Sequence, residues 1–419
     1  MSRIVLTTIG SLGDFHPLVA IALELRERGH DIVFVTTKQH KNAVELLGFE
    51  FHALRPDYAS PDDPAMMALM MDLKRGTERV VRDYIFGNLE ETYADLLAAA
   101  QGADFILAGD IVYAAQPVAE MLNIPWALCT LAPTSFLSAY DPPVLPPLPL
   151  LIKLRAFGPS LNQPLIHAIK LTLRPWGEPM QQLRQKLGLA PIDNPVADGK
   201  FSPYLNLALF SSKFAAPQTD WPAKTVITGF CFYDGSTHIQ PALQEFLDAG
   251  PAPILFTLGS AAVCTPGRFY LESIEAAVEL NRRAVLLIGK NVPPAELPAG
   301  IVTFDYAPYS AIFPRACVIV HQGGIGTTAQ ALRSGHPTLV VPYSHDQPDN
   351  AARLERLGTS RTVSRNRYSA SRAVKGLREL LRSPKYAAKA SDVSHALQAE
   401  SGVYTACEQI EQQLDNVAV

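Results

Sequence analysis

Residues 3–37, RIVLTTIGSLGDFHPLVAIALELRERGHDIVFVTT, decide the fold. The run RIVLTTI at 3–9 is apolar and rich in β-branched residues. A Gly-containing turn, GSLGDFHP, follows it. PLVAIALELRERGH then carries the apolar period of a helix, and DIVFVTT at 31–37 reads as a second strand. Strand, tight turn, helix and strand in so short a span predict a parallel βαβ unit. FILAG at 105–109 and PWALCTL at 125–131 add strands, with the helical stretch VYAAQPVAEMLN between them.

The pattern restarts in the second half. PILFTLG (253–259) runs into the small-residue turn SAA, and AVLLIG (284–289), IVTFDY (301–306), CVIVHQGG (317–324) and TLVVPYS (338–344) continue the strand set. The expectation is an α/β protein of two Rossmann-like, doubly wound domains facing each other across a cleft. We place an N-terminal, acceptor-binding domain at 1–228, a C-terminal, nucleotide-sugar-binding domain at 229–390 and a helical tail at 391–419 that docks on either one. Ligands of such sheets bind beyond the carboxyl ends of the strands, so the cleft holds the site.

Composition removes several alternatives. With 48% hydrophobic and 18% charged residues among 419, the sequence is not that of a disordered protein. Its net charge of −4, without a dense basic run, argues against a nucleic-acid partner. Five scattered cysteines contain no CxxC pair, which suggests neither a zinc site nor a disulfide framework and makes a reducing cytoplasm the simpler setting. The N-terminal apolar run is too short for a signal peptide. No apolar run approaches the ~20 residues that span a bilayer, although peripheral membrane contact stays open.

Chemistry concentrates at His321-Gln322-Gly323-Gly324-Ile325-Gly326-Thr327-Thr328, which follows a buried strand and opens a helix. Three glycines let backbone approach a ligand closely. A helix N-terminus presents unpaired N–H groups and positive partial charge, and Thr327, Thr328 and His321 add side-chain donors. These parts suit a diphosphate. They also suit a plain strand–helix turn capped by threonines. Further on, Asp346 and Gln347 in PYSHDQPDN offer an acceptor and a donor for sugar hydroxyls. The alternative there is a helix cap by Asp346 or Asp349.

The segment HQGGIGTTAQALRSGHPTLVVPYSHDQPDN resembles the nucleotide-sugar signature of the family 1 glycosyltransferases, which have the two-domain GT-B fold. Within that family the sequence looks most like bacterial rhamnosyltransferases of the rhamnolipid type. FAAPQTDWP, ITGFCFYDGS, SFLSAYDPPVLPP and GSLGDFHP support this. Flavonoid, macrolide and sterol glycosyltransferases are more distant relatives. The resemblance implies that His321 and the turn with Gly323, Gly324, Gly326, Thr327 and Thr328 hold the donor diphosphate, with Ser260 donating to phosphate. It implies Asp346 and Gln347 on the sugar and Tyr306 under the nucleobase. Plant members carry a ribose-binding Glu after the Gly turn. Ala329-Gln330 stands there here, which leaves ribose contact by Gln330 a guess.

Transfer needs a base for the acceptor hydroxyl. Family members carry His or Asp directly after the glycine matching Gly13, which implies Asp14, with His16 as its rival. Asp14 equally fits a helix cap, with Pro17 beside it. Asp110 matches the position of a carboxylate that orients a catalytic His in plant members. It could instead cap a helix or pair with His16. The sequence has no D-x-D, and the helix terminus with His321 can serve the diphosphate, so no metal and no cofactor are expected.

Four of the seven methionines fall in PAMMALMM at 64–71. Methionines make adaptable apolar walls. Met66, Met70, Phe136 and Leu137, with the Pro-rich 142–149 stretch, form a candidate acceptor surface with Asp110, and core packing is the competing account. The expected activity is inverting, metal-independent transfer of a hexose or deoxyhexose to a hydrophobic hydroxyl such as a flavonoid or lipid, with dTDP-L-rhamnose slightly ahead of UDP-glucose. The alternatives are a UDP-glucose-dependent enzyme acting on a sterol, macrolide or polyphenol and, more distantly, a UDP-sugar 2-epimerase. A non-catalytic nucleotide-sugar binder and a dehydrogenase are weaker readings, the latter because no GxGxxG follows the first strand.

Overall fold

The computed structural model describes residues 1–57, 63–146, 148, 153 and 155–417. Seven parallel strands form the first sheet: β1 (Arg3–Thr8), β2 (Asp31–Thr36), β3 (Glu50–Ala53), β4 (Phe105–Gly109), β5 (Trp126–Thr130), β6 (Leu205–Ala208) and β7 (Thr225–Ile227), in the order β3-β2-β1-β4-β5-β6-β7. Six more form the second: β8 (Ile254–Thr257), β9 (Ala284–Leu287), β10 (Ile301–Phe304), β11 (Val318–His321), β12 (Thr338–Val340) and β13 (Ser360–Thr362), in the order β10-β9-β8-β11-β12-β13. The fold is therefore the expected pair of doubly wound α/β units. The central strands are buried on both faces, which explains their near-continuous apolar runs.

Each sheet reverses its winding at one place, between β1 and β4 and between β8 and β11. These reversals leave a crevice at the carboxyl ends of the strands. The turns that follow these four strands carry Asp14, Asp110, Ser260 and Gln322. The sheet order thus brings together residues remote in sequence.

Helix α1 (Leu12–Glu27) starts at a capping box. The Ser11 hydroxyl accepts from Gly13 N–H, and the Asp14 carboxylate accepts from Ser11 N–H at 2.8 Å. Gly10 has φ +138°, and a Cβ there would lie 2.3 Å from Asp14 Oδ2, so only glycine fits beneath that carboxylate. The last helix, Gly402–Val417, returns to the first lobe. Ala406, Cys407 and Ile410 join the core of α1 and β1, and Arg28 binds Glu411 at 2.7 Å.

The lobes meet in a buried ionic cluster. Asp349 is fully buried and accepts from Arg353 at 2.6 Å, from Arg155 at 2.7 Å and from Val144 N–H at 3.0 Å. Arg353 also pairs with Asp141, which binds Arg356 at 2.8 Å. Asp141 sits well below the carboxylate range, at about 2; burial opposes that shift, while the hydrogen bond from Arg356 and the nearby arginine charges produce it. Part of the Pro-rich stretch, Pro147 and Pro149, lies outside the described residues.

Candidate active site in the cleft between the lobes

One cavity of about 840 Å³ runs between the lobes. From the first lobe it is lined by Asp14, His16, Asp110 and Lys200, and from the second by Ser260, Tyr306, Thr327, Asp346 and Gln347. The two helix starts oppose each other at close range: a Cβ at Gly326 would lie 3.2 Å from Gly13 Cα.

The helix Ile325–Ser334 begins at Gly324, which supplies no side-chain cap; the Ile325 N–H meets the Asp346 carboxylate, and Gly324, Ile325 and Gly326 line the cleft. Thr327 lines the cleft beside them, with its hydroxyl 3.3 Å from Gln322 Nε2. His321, Gly323 and Thr328 sit a layer deeper and are not on the cleft wall. The His321 Nδ1 accepts from Gly323 N–H at 3.1 Å, which places the ring proton of the neutral form on Nε2. That Nε2 is buried without a partner among the described residues. Burial lowers the His321 pKa to about 3, so the ring is neutral at physiological pH. Gly323 has φ +89°, and a Cβ there would lie 3.1 Å from the Gln347 carbonyl, so the turn packs closely on the start of the helix Gln347–Leu357.

Asp346 stands at the N-cap of the helix Gln347–Leu357, yet its carboxylate makes no capping bond. It accepts from Asn350 at 2.6 Å and from the Ile325 backbone N–H, which joins it to the start of the helix Ile325–Ser334. Asp349 also does not cap and serves the ionic cluster instead. The Gln347 Oε1 accepts from Tyr343 N–H at 2.8 Å and Ser344 N–H at 3.1 Å, which fixes the amide and leaves its NH2 group as a donor. Between them, His345 holds φ +57°, an uncommon conformation for a residue with a side chain. The Thr77 hydroxyl meets its Nδ1 at 3.2 Å from the other lobe.

Tyr306 is 59% exposed on the cleft wall, an open aromatic face for a planar ring. Ser260 is likewise exposed there. Gln330 is engaged elsewhere: its amide binds Asp234 at 3.2 Å, and Arg333 holds the same carboxylate at 2.7 Å.

Across the cleft, burial raises the Asp14 pKa to about 6; hydrogen bonds from Ser11 oppose this and the Asp110 charge adds to it. Burial lowers His16 to about 4. Asp110 neither caps a helix nor pairs with His16. One oxygen binds Lys200 at 2.8 Å and the other accepts from the Ser135 hydroxyl.

The acceptor side corrects three expectations. Met66 is exposed away from the cleft, Met70 is buried in the first lobe's core, and Phe136 is stacked between Phe201 and Trp221. Tertiary packing turns these side chains toward solvent or neighbouring core rather than the cavity. The apolar wall comes from Ile111, Tyr113, Leu137, Ile169, Leu173 and Trp176. Leu137 is among the residues expected from the sequence; no local motif marks the others, because they converge from separate strand ends and helices. Met71 does reach the cleft. Among the described residues, no group of three His, Cys, Asp or Glu side chains is arranged to hold a metal, and no helix is long and apolar enough to cross a membrane.

Two doubly wound lobes, with a helix N-terminus and the Asp346–Gln347 pair facing the Asp14 carboxylate across one cleft, define a GT-B glycosyltransferase. Comparison with known proteins agrees. Residues 4–134 match the glycosyltransferase family 28 N-terminal domain, and residues 272–409 match the erythromycin biosynthesis protein CIII-like C-terminal domain. The sequence is 31% identical to the O-mycaminosyltylonolide 6-deoxyallosyltransferase of Streptomyces fradiae, over 98% of this protein and 97% of that one. It is 27% identical to a sterol 3-beta-glucosyltransferase of Yarrowia lipolytica, where it spans 29% of the longer protein. The crystal structure of the glycotransferase of kitacinnamycin superposes with a TM-score of 0.74 at 22% identity, covering 98% of both proteins. The protein is a member of this family of nucleotide-sugar-dependent glycosyltransferases.

Proposed function

We propose that the enzyme transfers a hexosyl or deoxyhexosyl group, with dTDP-L-rhamnose ahead of UDP-glucose as donor, to a hydroxyl of a hydrophobic acceptor, with inversion and without a metal. The observation that carries this reading is the opposition of Asp14 to the open N-terminus of the helix Ile325–Ser334 across one cavity. The diphosphate lies against the N–H groups of Gly326 and Thr327 and the Thr327 hydroxyl, where the helix dipole stabilises its charge. The buried neutral His321 orders that turn through Gly323. Gln347 donates to a sugar hydroxyl and Asp346 accepts from another. Tyr306 stacks on the base.

The acceptor occupies the apolar wall of the first lobe. Asp14 takes the proton of its hydroxyl as the new oxygen–carbon bond forms at the anomeric centre. The carbon–phosphate-oxygen bond breaks on the opposite face, and the nucleoside diphosphate departs with the bonding electron pair. A pKa near 6 leaves Asp14 ionised at neutral pH and a better base than an aqueous carboxylate. The 31% identity to an enzyme named as a 6-deoxyallosyltransferase supports a deoxyhexose. A donor screen with one flavonoid and one sterol acceptor tests the reading. Faster turnover with UDP-glucose than with dTDP-L-rhamnose reverses the donor assignment, and conversion of donor without any acceptor argues for epimerisation instead.

A further inference from the structure

Among the described residues lining the cleft, Lys200 is the one nearly buried cation. Lys74 on the same wall is exposed, whereas the Lys200 side chain retains 6% of its accessible surface. A Lys ammonium is withdrawn from water to this degree only when it has a partner. Its partner is Asp110, 2.8 Å away and 90 residues distant in sequence, whose other oxygen is held by Ser135. The carboxylate is fixed from two sides and does not turn toward His16.

The placement has a chemical reason. Asp110 follows β4 and Asp14 follows β1, and these strands are neighbours in the sheet, with Thr7 paired to Ala108. A histidine base gains from a carboxylate beside it, because the carboxylate stabilises the imidazolium formed in proton transfer. A carboxylate base gains nothing of the kind: a second negative charge favours its protonated, inactive form. The cleft already gathers negative charge. Asp110 bears on Asp14 from its own sheet, and Asp346 and Asp14 interact across the gap. His16 on α1 is neutral, with His40 and Asp234 facing it. Glu78, Lys74 and His345 line the same cavity, and a donor diphosphate would add further anionic charge.

We propose that Lys200 is a positioning residue for the reaction: through its ion pair with Asp110 it cancels the carboxylate charge that bears on Asp14, so that Asp14 is held in the ionised form able to accept a proton. This rests on the reading of Asp14 as the base. Lys200 replaces, with opposite chemistry, what a histidine-based site would ask of the same neighbourhood.

The test needs no identified acceptor. Full-length enzyme carrying carboxyl-13C aspartate is titrated by NMR, and the resonance absent from Asp14→Asn is that of Asp14. Lys200→Met is expected to raise the Asp14 midpoint by about one unit, because the Asp110 charge loses its counterion. Lys200→Arg restores the wild-type midpoint. Asp110→Asn moves it downward, since Lys200 then acts on Asp14 alone. Opposite shifts from the two halves of one ion pair cannot come from loosened packing. If Lys200→Met does not fold, Lys200→Gln, which keeps a donor for Asp110 without the charge, is read in its place and is expected to raise the midpoint likewise. A midpoint unmoved by loss of the Lys200 charge overturns the proposal, because the Asp110→Asn shift alone would occur without Lys200. Turnover of Asp14→Asn answers the separate question: if it matches wild type, the base assignment fails whatever Lys200 does.

Discussion

Asp14 and Asp346 enter the cleft from opposite lobes, and the charge of Asp14 helps to push the Asp346 carboxyl up to about 7. Burial is the larger cause at each site and takes Asp14 itself to about 6. A protein that needed these carboxylates only for helix caps could have left them in water. Perturbation by burial and a charge across a cleft is instead the condition expected of groups that handle substrate.

Replacing Asp14 by Asn keeps the shape of the capping box and removes the base. We expect kcat/KM to fall by about 10²–10⁴-fold while dTDP binding measured by calorimetry stays within a few-fold of wild type. The wild-type enzyme loses activity as pH falls through about 6, because the base must be ionised. His16, lowered to about 4, places no limb between pH 5 and 8. A profile flat from pH 5 to 8, or an active Asn variant, removes Asp14 from the chemistry.

Gln347→Glu keeps the oxygen that accepts from Tyr343 and Ser344 and exchanges the free amide for an anion beside Asp346. The donor KM is expected to rise about tenfold or more, with a smaller change in melting temperature, because a hydrogen bond to the sugar becomes a repulsion. An unchanged KM would mean that the amide does not touch the donor.

Arg353 is 1% exposed and ties Asp349 to Asp141. Arg353→Met leaves buried carboxylates short of a partner, a change that costs about 3–5 kcal/mol in comparable sites. The lower end is expected here, since Arg155 and Arg356 still face the pair. Urea unfolding followed by fluorescence measures this directly. A loss under ~1 kcal/mol would show that the cluster is replaceable.

The two sheets were legible because their central strands are buried on both faces and read as apolar runs followed by Gly turns. Short strands at the margins were not. EFHA at β3 and SRT at β13 carry too few apolar residues to stand out from loops, and β6 with β7 is too brief for periodicity to register. Motif residues that lie together in sequence, such as Asp346 and Gln347, could be read directly. Lys200 could not, since nothing local separates it from a surface lysine; only the packing of residue 200 under residue 110 gives it a role. The Met-rich run misled for a related reason: its composition suggested a flexible wall, while the direction of each side chain is fixed by tertiary contacts.

The raised acids make a last prediction on stability. The Asp346 carboxyl has an ordinary value of 3.8 in an unfolded polypeptide and about 7 in the folded one. The folded state therefore binds the proton more tightly, and the stability this supplies is fully present below pH 3.8 and lost as pH rises to about 7. Above pH 7 the fold carries a desolvated anion that donor binding, not folding, makes useful. Asp346→Asn has no such dependence and can still accept from Asn350. Its melting temperature should match wild type near pH 4 and exceed it increasingly up to pH 8, while its catalytic efficiency falls. Differential scanning calorimetry at four pH values reads the trend. A variant that melts below wild type by a constant amount at every pH would show that Asp346 stabilises the fold through its hydrogen bond, and that its carboxyl is not strained in the cleft at all.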